Sequence, residues 1–187
     1  SYTHNYPSVT LDFKKKMNSK GELYPLGISL HETPFYISNL LKYKKHEWVA
    51  IVLEKNKISE LLWVNKGKDN KSVRFLISTD ELVNIAVSNK MTTIMRFHNH
   101  PNSYGAKISL SRPSETDTTS AKLLSEIFSS KNINFLDFVC DRGIPHLFWK
   151  SVHDNFFPLE DFIIQISENE NNISKSKNFK LNLERLI

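Results

Sequence analysis

Two histidines and an aspartate are prominent in this sequence because their types and spacing suit metal-ion chemistry. His98 and His100 are two positions apart at the end of an apolar, β-prone segment. Side chains at positions i and i+2 of a strand point to the same face, so both imidazoles can approach one ion. Asp117 closes the run Ser114 to Asp117, which begins a predicted helix. Two neutral imidazoles and one carboxylate leave one position of a tetrahedral zinc ion open for water, which is the arrangement of a catalytic site.

Each part of this motif also has a purely structural interpretation. A single His-x-His arises often by chance, and Ser-x-x-Asp is close to a helix capping box, which only satisfies backbone amides. The two interpretations of Asp117 are compatible, because a capping box also fixes the carboxylate in the first turn of the helix. The other histidines lack ligand spacing and are interpreted as surface or packing residues: His4, His31, His46, His146 and His153.

A catalytic zinc site also needs a group that takes a proton from water. Bound zinc lowers the pKa of water toward ~7, and a nearby glutamate can accept the proton and pass it to a leaving amine. Glu60 interrupts a largely apolar predicted strand, where burial of a charge is costly without a purpose. The other candidates are Glu54, which ends the preceding predicted strand, and Glu47, which precedes its buried run; we expect both to face solvent.

A sheet and several helices are predicted to position these residues. Helices are predicted from Pro34 to Tyr43 with Thr33 as N-cap, after the N-cap Ser78, and from Ser114 to Ser129. The predicted strands are His46 to Glu54, Ile58 to Asn65, Val73 to Ile77, Met91 to Phe97, Phe135 to Cys140 and His146 to Trp149. This order predicts a mixed α/β domain with a central sheet.

Length and composition are those of an ordinary globular protein. The 187 residues suit one domain with terminal extensions: a polar lead-in over 1–22, the domain over 23–150 and a partly mobile C-terminal extension over 151–187. Cys140 is the only cysteine, which excludes an internal disulfide and a cysteine-rich zinc knuckle, and it lies in a predicted buried strand. No apolar stretch approaches the ~20 residues of a membrane helix. We therefore expect a cytoplasmic protein with no membrane partner.

The formal net charge is +5, and lysines cluster at Lys14 to Lys16, at Lys42 to Lys45 and between Lys55 and Lys71. A basic patch can attract nucleic acid or an acidic protein surface. Solvated lysine-rich loops would give the same composition, so charge alone does not decide between these functions.

The metal motif resembles that of a known family of enzymes. His98 to Pro101, followed by Pro113 to Asp117, is similar to the signature of the JAMM (also JAB or MPN) zinc metallopeptidases, and is closest to their RadC-like branch. Ile58 to Gly67 resembles the family's glutamate strand, and Phe135 to Asp141 resembles the strand after its zinc helix. The order of elements from Leu23 to Lys150 is also similar. The resemblance implies an MPN (JAB)-like α/β fold, in which helices flank a central mixed β-sheet.

The resemblance also implies a role for each candidate residue. His98, His100 and Asp117 would hold Zn²⁺, and Glu60 would be the general base. Ser114 would donate a hydrogen bond to the developing oxyanion, which is strongest in a water-poor site. Its alternative role is that of helix N-cap, and one hydroxyl can contribute to both.

The sequence departs from the RadC-like pattern between the two halves of the motif. His100 and Ser114 are fourteen positions apart (114 − 100 = 14), which is longer than the family's usual spacing. A loop lengthens at little entropic cost, so we expect residues 102–112 to lie over the cleft as a lid or specificity element. Ser103 stands where RadC-like proteins carry glycine, and residues 1–22 are too short for their N-terminal helical, DNA-associated region.

Three functions follow as hypotheses. The leading one is a zinc-dependent metallopeptidase or isopeptidase that hydrolyses an amide bond in a protein or peptide, with ubiquitin-like conjugates among the candidates. The second is a RadC-like nucleic-acid-associated protein, favoured by the lysine clusters and the pI of 9.2; salt-dependent DNA affinity without peptidase activity would support it. The third is a noncatalytic MPN scaffold, which failure to bind zinc would favour.

Overall fold

A six-stranded mixed sheet forms the centre of the fold in the computed structural model, which describes residues 11–67, 75–101 and 112–168. The strands are β1 (Glu22–Ser29), β2 (Trp48–Lys55), β3 (Ile58–Lys66), β4 (Thr93–Asn99), β5 (Asn134–Asp141) and β6 (Ile144–Ser151). The helices are α1 (Leu11–Lys16), α2 (Thr33–Leu41), α3 (Thr79–Ser88) and α4 (Glu115–Ser129), and residues 159–168 are also helical.

The strands lie in the order β1-β3-β2-β4-β5-β6. β4 and β5 pair in parallel, and every other neighbouring pair is antiparallel. β2 and β4 occupy the middle of the sheet, and both are buried along almost their whole length. A strand covered on both faces needs a nearly continuous apolar run, and β2 has one from Trp48 to Leu53. The predicted α/β fold with a central mixed sheet is confirmed.

Helices cover both faces of this sheet. On one face, α3 and α4 share a buried apolar cluster with β2 and β4, which includes Ile94. On the other face, α2 contacts β4, β5 and β6 and buries Ile37 and Leu40. Side chains alternate along a strand, so His98, four residues after Ile94, lies on the face that α4 covers. The fold thereby brings the second half of the metal motif over the first.

Most of the predicted elements are confirmed, among them the β2–β3 hairpin, β4, the β5–β6 pair and the helices that begin after Ser78 and Ser114. The N-cap of α2 was predicted at the wrong residue, because Glu32 holds that position. The Thr33 hydroxyl instead donates to the Ser29 carbonyl at 2.8 Å. Of the strand predicted over Val73 to Ile77, residues 73–74 lie outside the described residues and 75–77 form no strand.

Neither β1 nor α1 was predicted, and the helix over residues 159–168 was not predicted either. β1 has Pro25 and Gly27 in its interior, and its register with β3 shifts between Pro25 and Ile28, so it lacks a regular alternating pattern. α1 lies within the segment interpreted as a polar lead-in.

The chain divides into two compact units, Ser1–Phe157 and Pro158–Ile187, and the named helices and strands all belong to the first. The boundaries at 22 and 150 stay a prediction. None of the described helices is both long and apolar enough to cross a membrane.

Candidate metal centre

The end of β4 brings two histidines to one point. His98 lies within the strand and pairs with Val49 of β2 and Val139 of β5. His100 follows the strand, and its backbone N–H donates to the Cys140 carbonyl at 3.3 Å, so the ladder continues beyond the last residue of β4. The two Nε2 atoms are 3.0 Å apart, as predicted for side chains on the same face.

Asn99, between the two histidines, fixes the end of β4. Its Oδ1 accepts a hydrogen bond from the Trp48 N–H at 2.7 Å, and its Nδ2 donates to the His46 carbonyl at 3.0 Å. Both bonds tie β4 to the segment that begins β2. The sequence interpretation did not identify this positioning role, although an amide between two candidate ligands is a signal that could have revealed it.

The N-terminus of α4 supplies the third group. Ser114 is the N-cap of this helix. Its Oγ accepts a hydrogen bond from the Asp117 N–H at 3.1 Å, and Asp117 Oδ2 accepts a hydrogen bond from the Ser114 N–H at 2.8 Å. The same Oδ2 lies 3.2 Å from His98 Nε2 and 3.5 Å from His100 Nε2. The capping box and the metal-ligand geometry are therefore both present, and one carboxylate takes part in both.

These separations fit a metal ion. Zinc bonds to imidazole nitrogen and carboxylate oxygen are ~2.0–2.2 Å, so tetrahedral ligands lie roughly 3.3–3.5 Å from one another. The three observed separations, 3.0, 3.2 and 3.5 Å, are close to that range. Among the described residues, His98, His100 and Asp117 form the group of ligand atoms that could hold a metal ion.

The environment keeps the carboxylate of Asp117 ionised. Burial alone would raise its pKa, but hydrogen bonds from His100 and His98, with a further bond from the Ser114 N–H, outweigh burial and hold the pKa well below its usual range. A carboxylate that stays charged at any ordinary pH is a suitable ligand for a divalent cation.

Comparison with known families agrees with this geometry. The RadC-like JAB domain family matches residues 29–141, which is more than half of the chain and includes the three candidate ligands. The chain belongs to the RadC-like JAB domain family. A similar protein is the UPF0758 protein of Staphylococcus epidermidis, which is 31% identical over 96 residues. The matched region is 51% of this chain and 38% of that relative's length.

The structure does not bring Glu60 to the candidate metal centre. Val49 of β2 pairs with His98, whereas Glu60 lies beside the β-bulge that follows Leu53. Four residues of strand separate Val49 from Leu53, which is about 13 Å at ~3.3 Å per residue. Glu60 instead forms an ion pair with Lys55 at 3.6 Å. The prediction that Glu60 is the base is therefore wrong, because local sequence does not reveal at which end of the sheet a strand residue lies.

Glu54 was expected to face solvent but is buried, with only 2% of its surface exposed. Its carboxylate accepts from the Lys57 N–H at 2.8 Å and from the Thr92 hydroxyl at 2.9 Å. These bonds hold the β2–β3 turn at the end of the sheet opposite the histidines, since Glu54 pairs with Thr93. Glu54 is thus a structural residue.

Glu47 lies at the metal end of the sheet. The Gly67 N–H donates to its carbonyl at 2.8 Å, which extends the β2–β3 ladder by one residue beyond Trp48. The pairing of β2 with β4 ends at Val49 and His98, because the Asn99 side chain takes the Trp48 N–H, and Glu47 lies just before that last pair. Glu47 is two residues before Val49 and so lies on the same face as His98. It is half-buried rather than fully solvated.

A buried ion pair connects α4, the helix that carries Asp117, to the central sheet. Arg96 of β4 donates through Nε to both carboxylate oxygens of Asp137 on β5, at 3.0 and 3.2 Å. Its Nη1 also donates to the Ser120 hydroxyl of α4 at 3.0 Å. Ser120 is one turn after Asp117, so Arg96 fixes α4 relative to the strand that carries His98.

The predicted lid over 102–112 lies outside the described residues, except for Arg112. The expected role of this loop stays a prediction.

Proposed function

We propose that the chain is a zinc-dependent metallopeptidase that hydrolyses an amide bond in a protein or peptide, isopeptide bonds to ubiquitin-like proteins included. The observation that carries the proposal is the convergence of His98 Nε2, His100 Nε2 and Asp117 Oδ2 within 3.5 Å of one another. Two imidazoles and one carboxylate are a ligand set of catalytic zinc sites, which keep a fourth position open. Among the described residues, no fourth His, Cys, Asp or Glu joins this group.

A bound zinc ion would supply a Lewis acid, which polarises a carbonyl group and lowers the pKa of water. The chain itself must provide a base, a hydrogen-bond donor for the developing oxyanion and a rigid frame. The frame is the end of β4, held by Asn99 on one side and by the Arg96–Asp137 pair on the other.

Glu47 is the proposed general base. It lies two residues before Val49, the partner of His98, at the end of the sheet that carries the candidate ligands. Its carboxylate would take a proton from the attacking water and deliver it to the leaving amine. Glu54 and Glu60 lie near the β2–β3 turn, too distant for proton transfer at this site.

Ser114 is the proposed donor to the oxyanion. Its Oγ uses a lone pair to accept from the Asp117 N–H, which leaves the hydroxyl proton available for a second partner. The side chain is exposed and adjoins the carboxylate ligand, so a substrate carbonyl can reach it. Helix capping and oxyanion stabilisation are compatible roles for this hydroxyl.

A matched pair of carboxylate-to-amide variants tests this mechanism. In Glu47→Gln, the zinc content should be unchanged, and hydrolysis should fall by about 10²–10⁴-fold because the proton acceptor is lost. Glu60→Gln makes the same chemical change at the far end of the sheet. Its rate of hydrolysis should stay within about twofold of that of the parent protein. Zinc content is measured by atomic emission, and turnover with a panel of labelled peptides and ubiquitin-like conjugates.

Two results would count against this account in different ways. Normal turnover by Glu47→Gln would remove Glu47 as the base. Absence of hydrolysis by the zinc-loaded parent protein over the whole panel would contradict the metallopeptidase proposal and favour a noncatalytic scaffold.

A further inference from the structure

A pocket of about 270 Å³ lies beside the candidate metal centre, where β4 and β5 end. His100 lines it together with Asn99 and Pro101, so the pocket borders the segment that carries two of the candidate ligands. Its buried lining includes Ser38 of α2, whose hydroxyl donates to Cys140 Sγ at 3.2 Å. Ligands of α/β proteins commonly bind outside the carboxyl ends of parallel strands, and this pocket has that position.

The lining of the pocket is basic and contains no acidic side chain. Lys42, Lys44 and Lys45 come from the turn after α2, and Arg142 comes from the turn that joins β5 to β6. Arg142 lies 3.6 Å from the carboxylate of its neighbour Asp141. The three lysines form no ion pair with a carboxylate in the described part of the chain.

Packing orders two of these lysines without neutralising them. Gly143 has φ +83°, and a Cβ there would come within 2.9 Å of Lys42 Cδ, so the stem of Lys42 packs closely against the glycine. The Lys42 ammonium lies 4.9 Å from the centre of the Tyr43 ring. Lys44 Nζ donates to the Lys14 carbonyl at 3.2 Å. Such contacts reduce the flexibility of the side chains but leave the positive charge in place.

Lys44 of the pocket and its neighbour Lys14 both have lowered pKa values, for which burial is the first cause. Burial, followed by repulsion from Lys42, lowers the pKa of Lys14. Burial also lowers the pKa of Lys44, and repulsion from Lys14 and Lys66 adds to the effect. A negatively charged group in the pocket would relieve this repulsion, because an opposite charge favours the ammonium form.

We propose that this pocket binds a carboxylate of an acidic peptide segment next to the amide bond hydrolysed at the metal centre, an inference that rests on the proposed function. The volume is slightly below the ~300–1,000 Å³ of small-molecule sites, which suits one acidic side chain. A nucleic acid backbone instead requires cations spread along a groove. Here the cations converge on one pocket that adjoins the metal ligands.

Binding of two peptides that differ in one group tests the assignment without requiring turnover. The first is an end-blocked alanine-rich pentapeptide with one central glutamate, and the second has glutamine in its place. Calorimetric titration of the zinc-loaded full chain should give at least about tenfold tighter binding of the acidic peptide, or about 1.4 kcal/mol. The difference should shrink between 50 and 200 mM salt, because charge pairing is screened.

A charge-matched pair of double variants locates the site. Lys42→Met/Lys45→Met removes two pocket charges while retaining the apolar stems, and it should abolish the preference for glutamate. Lys122→Met/Lys131→Met removes two exposed lysines from α4 and the turn that follows it, and the preference should persist. Thermal unfolding of each variant confirms that the fold is retained.

Three outcomes would overturn the inference: equal affinity for the two peptides, loss of the preference in both double variants, or displacement of the acidic peptide by a single-stranded oligonucleotide that binds more tightly. The last would assign the pocket to nucleic acid. Because binding is measured directly, a protein that binds the acidic peptide but hydrolyses nothing would sustain the pocket assignment and reject the metallopeptidase.

Discussion

The carboxylate of Asp117 belongs both to a helix capping box and to the candidate group of metal ligands. It accepts the Ser114 N–H at the start of α4 and, with the same oxygen, lies within 3.5 Å of both histidine Nε2 atoms. A capping residue has little conformational freedom, so the ligand is fixed before a metal ion binds. The local stability of the helix start and the affinity for metal are therefore linked at this residue.

Two variants separate these functions. Asp117→Asn keeps an oxygen that accepts from the Ser114 N–H, so the metal-free protein should lose less than about 1 kcal/mol of unfolding free energy. Its zinc affinity should fall by at least about 100-fold, because a charged ligand is lost. Ser114→Ala should lower the unfolding free energy by about 1 kcal/mol because the helix cap is lost. It should weaken zinc binding less than Asp117→Asn does. Urea unfolding in chelator and zinc titration measure the two quantities, and Asp117→Asn with parental zinc affinity would contradict the ligand assignment.

The candidate residues that the structure brings together as predicted are those defined by local spacing. His98 and His100 are brought together by the two-residue period of a strand, and Asp117 is positioned by its own capping box. Glu60 and Glu47 differ in a property that no local pattern contains, namely which end of β2 each one adjoins. That property depends on the register between strands, and the assignment of the base was wrong for this reason.

The candidate metal centre needs α4 to be fixed over the end of β4, because α4 carries Asp117 and β4 carries His98. Arg96 provides this connection through its bidentate contact with Asp137 and its bond to Ser120. A second connection joins the Trp149 indole N–H of β6 to the Ser125 hydroxyl of α4. Both acceptors lie on the face of α4 that packs on the sheet, so helix and strand are connected by polar contacts as well as by the apolar cluster.

Removal of one partner of the buried pair should be far more harmful than removal of both. Arg96→Met leaves the fully buried Asp137 carboxylate without its counter-charge and should cost about 3–5 kcal/mol of unfolding free energy. Arg96→Met/Asp137→Leu removes both charges and should recover most of that loss. Urea unfolding in chelator gives both values. A single variant as stable as the parent would show that the pair does not hold α4 in place.

The elements that were predicted are those with regular periods and clear helix signals. β2 has a continuous apolar run, and α3 and α4 begin with Ser78 and Ser114 as N-caps. β1 was missed because Pro25 and the irregular register beside it break the alternation on which strand prediction depends. In the described part of the chain β1 lies at the edge of the sheet with β3 as its one neighbour, and an edge strand tolerates these features.

In the first compact unit, the candidate metal centre and the basic pocket are both found where β4 and β5 end, with His100 bordering each of them. The lysine clusters were visible in the sequence, but composition could not distinguish solvated loops from a binding surface. Folding brings the turn after α2 against the turn between β5 and β6, which are about one hundred residues apart in the chain. The pocket is therefore a property of the fold that local sequence does not contain.

The central claim is that His98, His100 and Asp117 bind one zinc ion, and a calorimetric zinc titration of the chelator-treated protein tests it most directly. The parent chain should bind one zinc ion per molecule. His100→Ala should weaken binding by at least about 100-fold, because a direct ligand is removed. His153→Ala removes an exposed histidine outside the metal group and should bind zinc like the parent. Unchanged zinc affinity in His100→Ala, or no stoichiometric binding by the parent, would contradict the account.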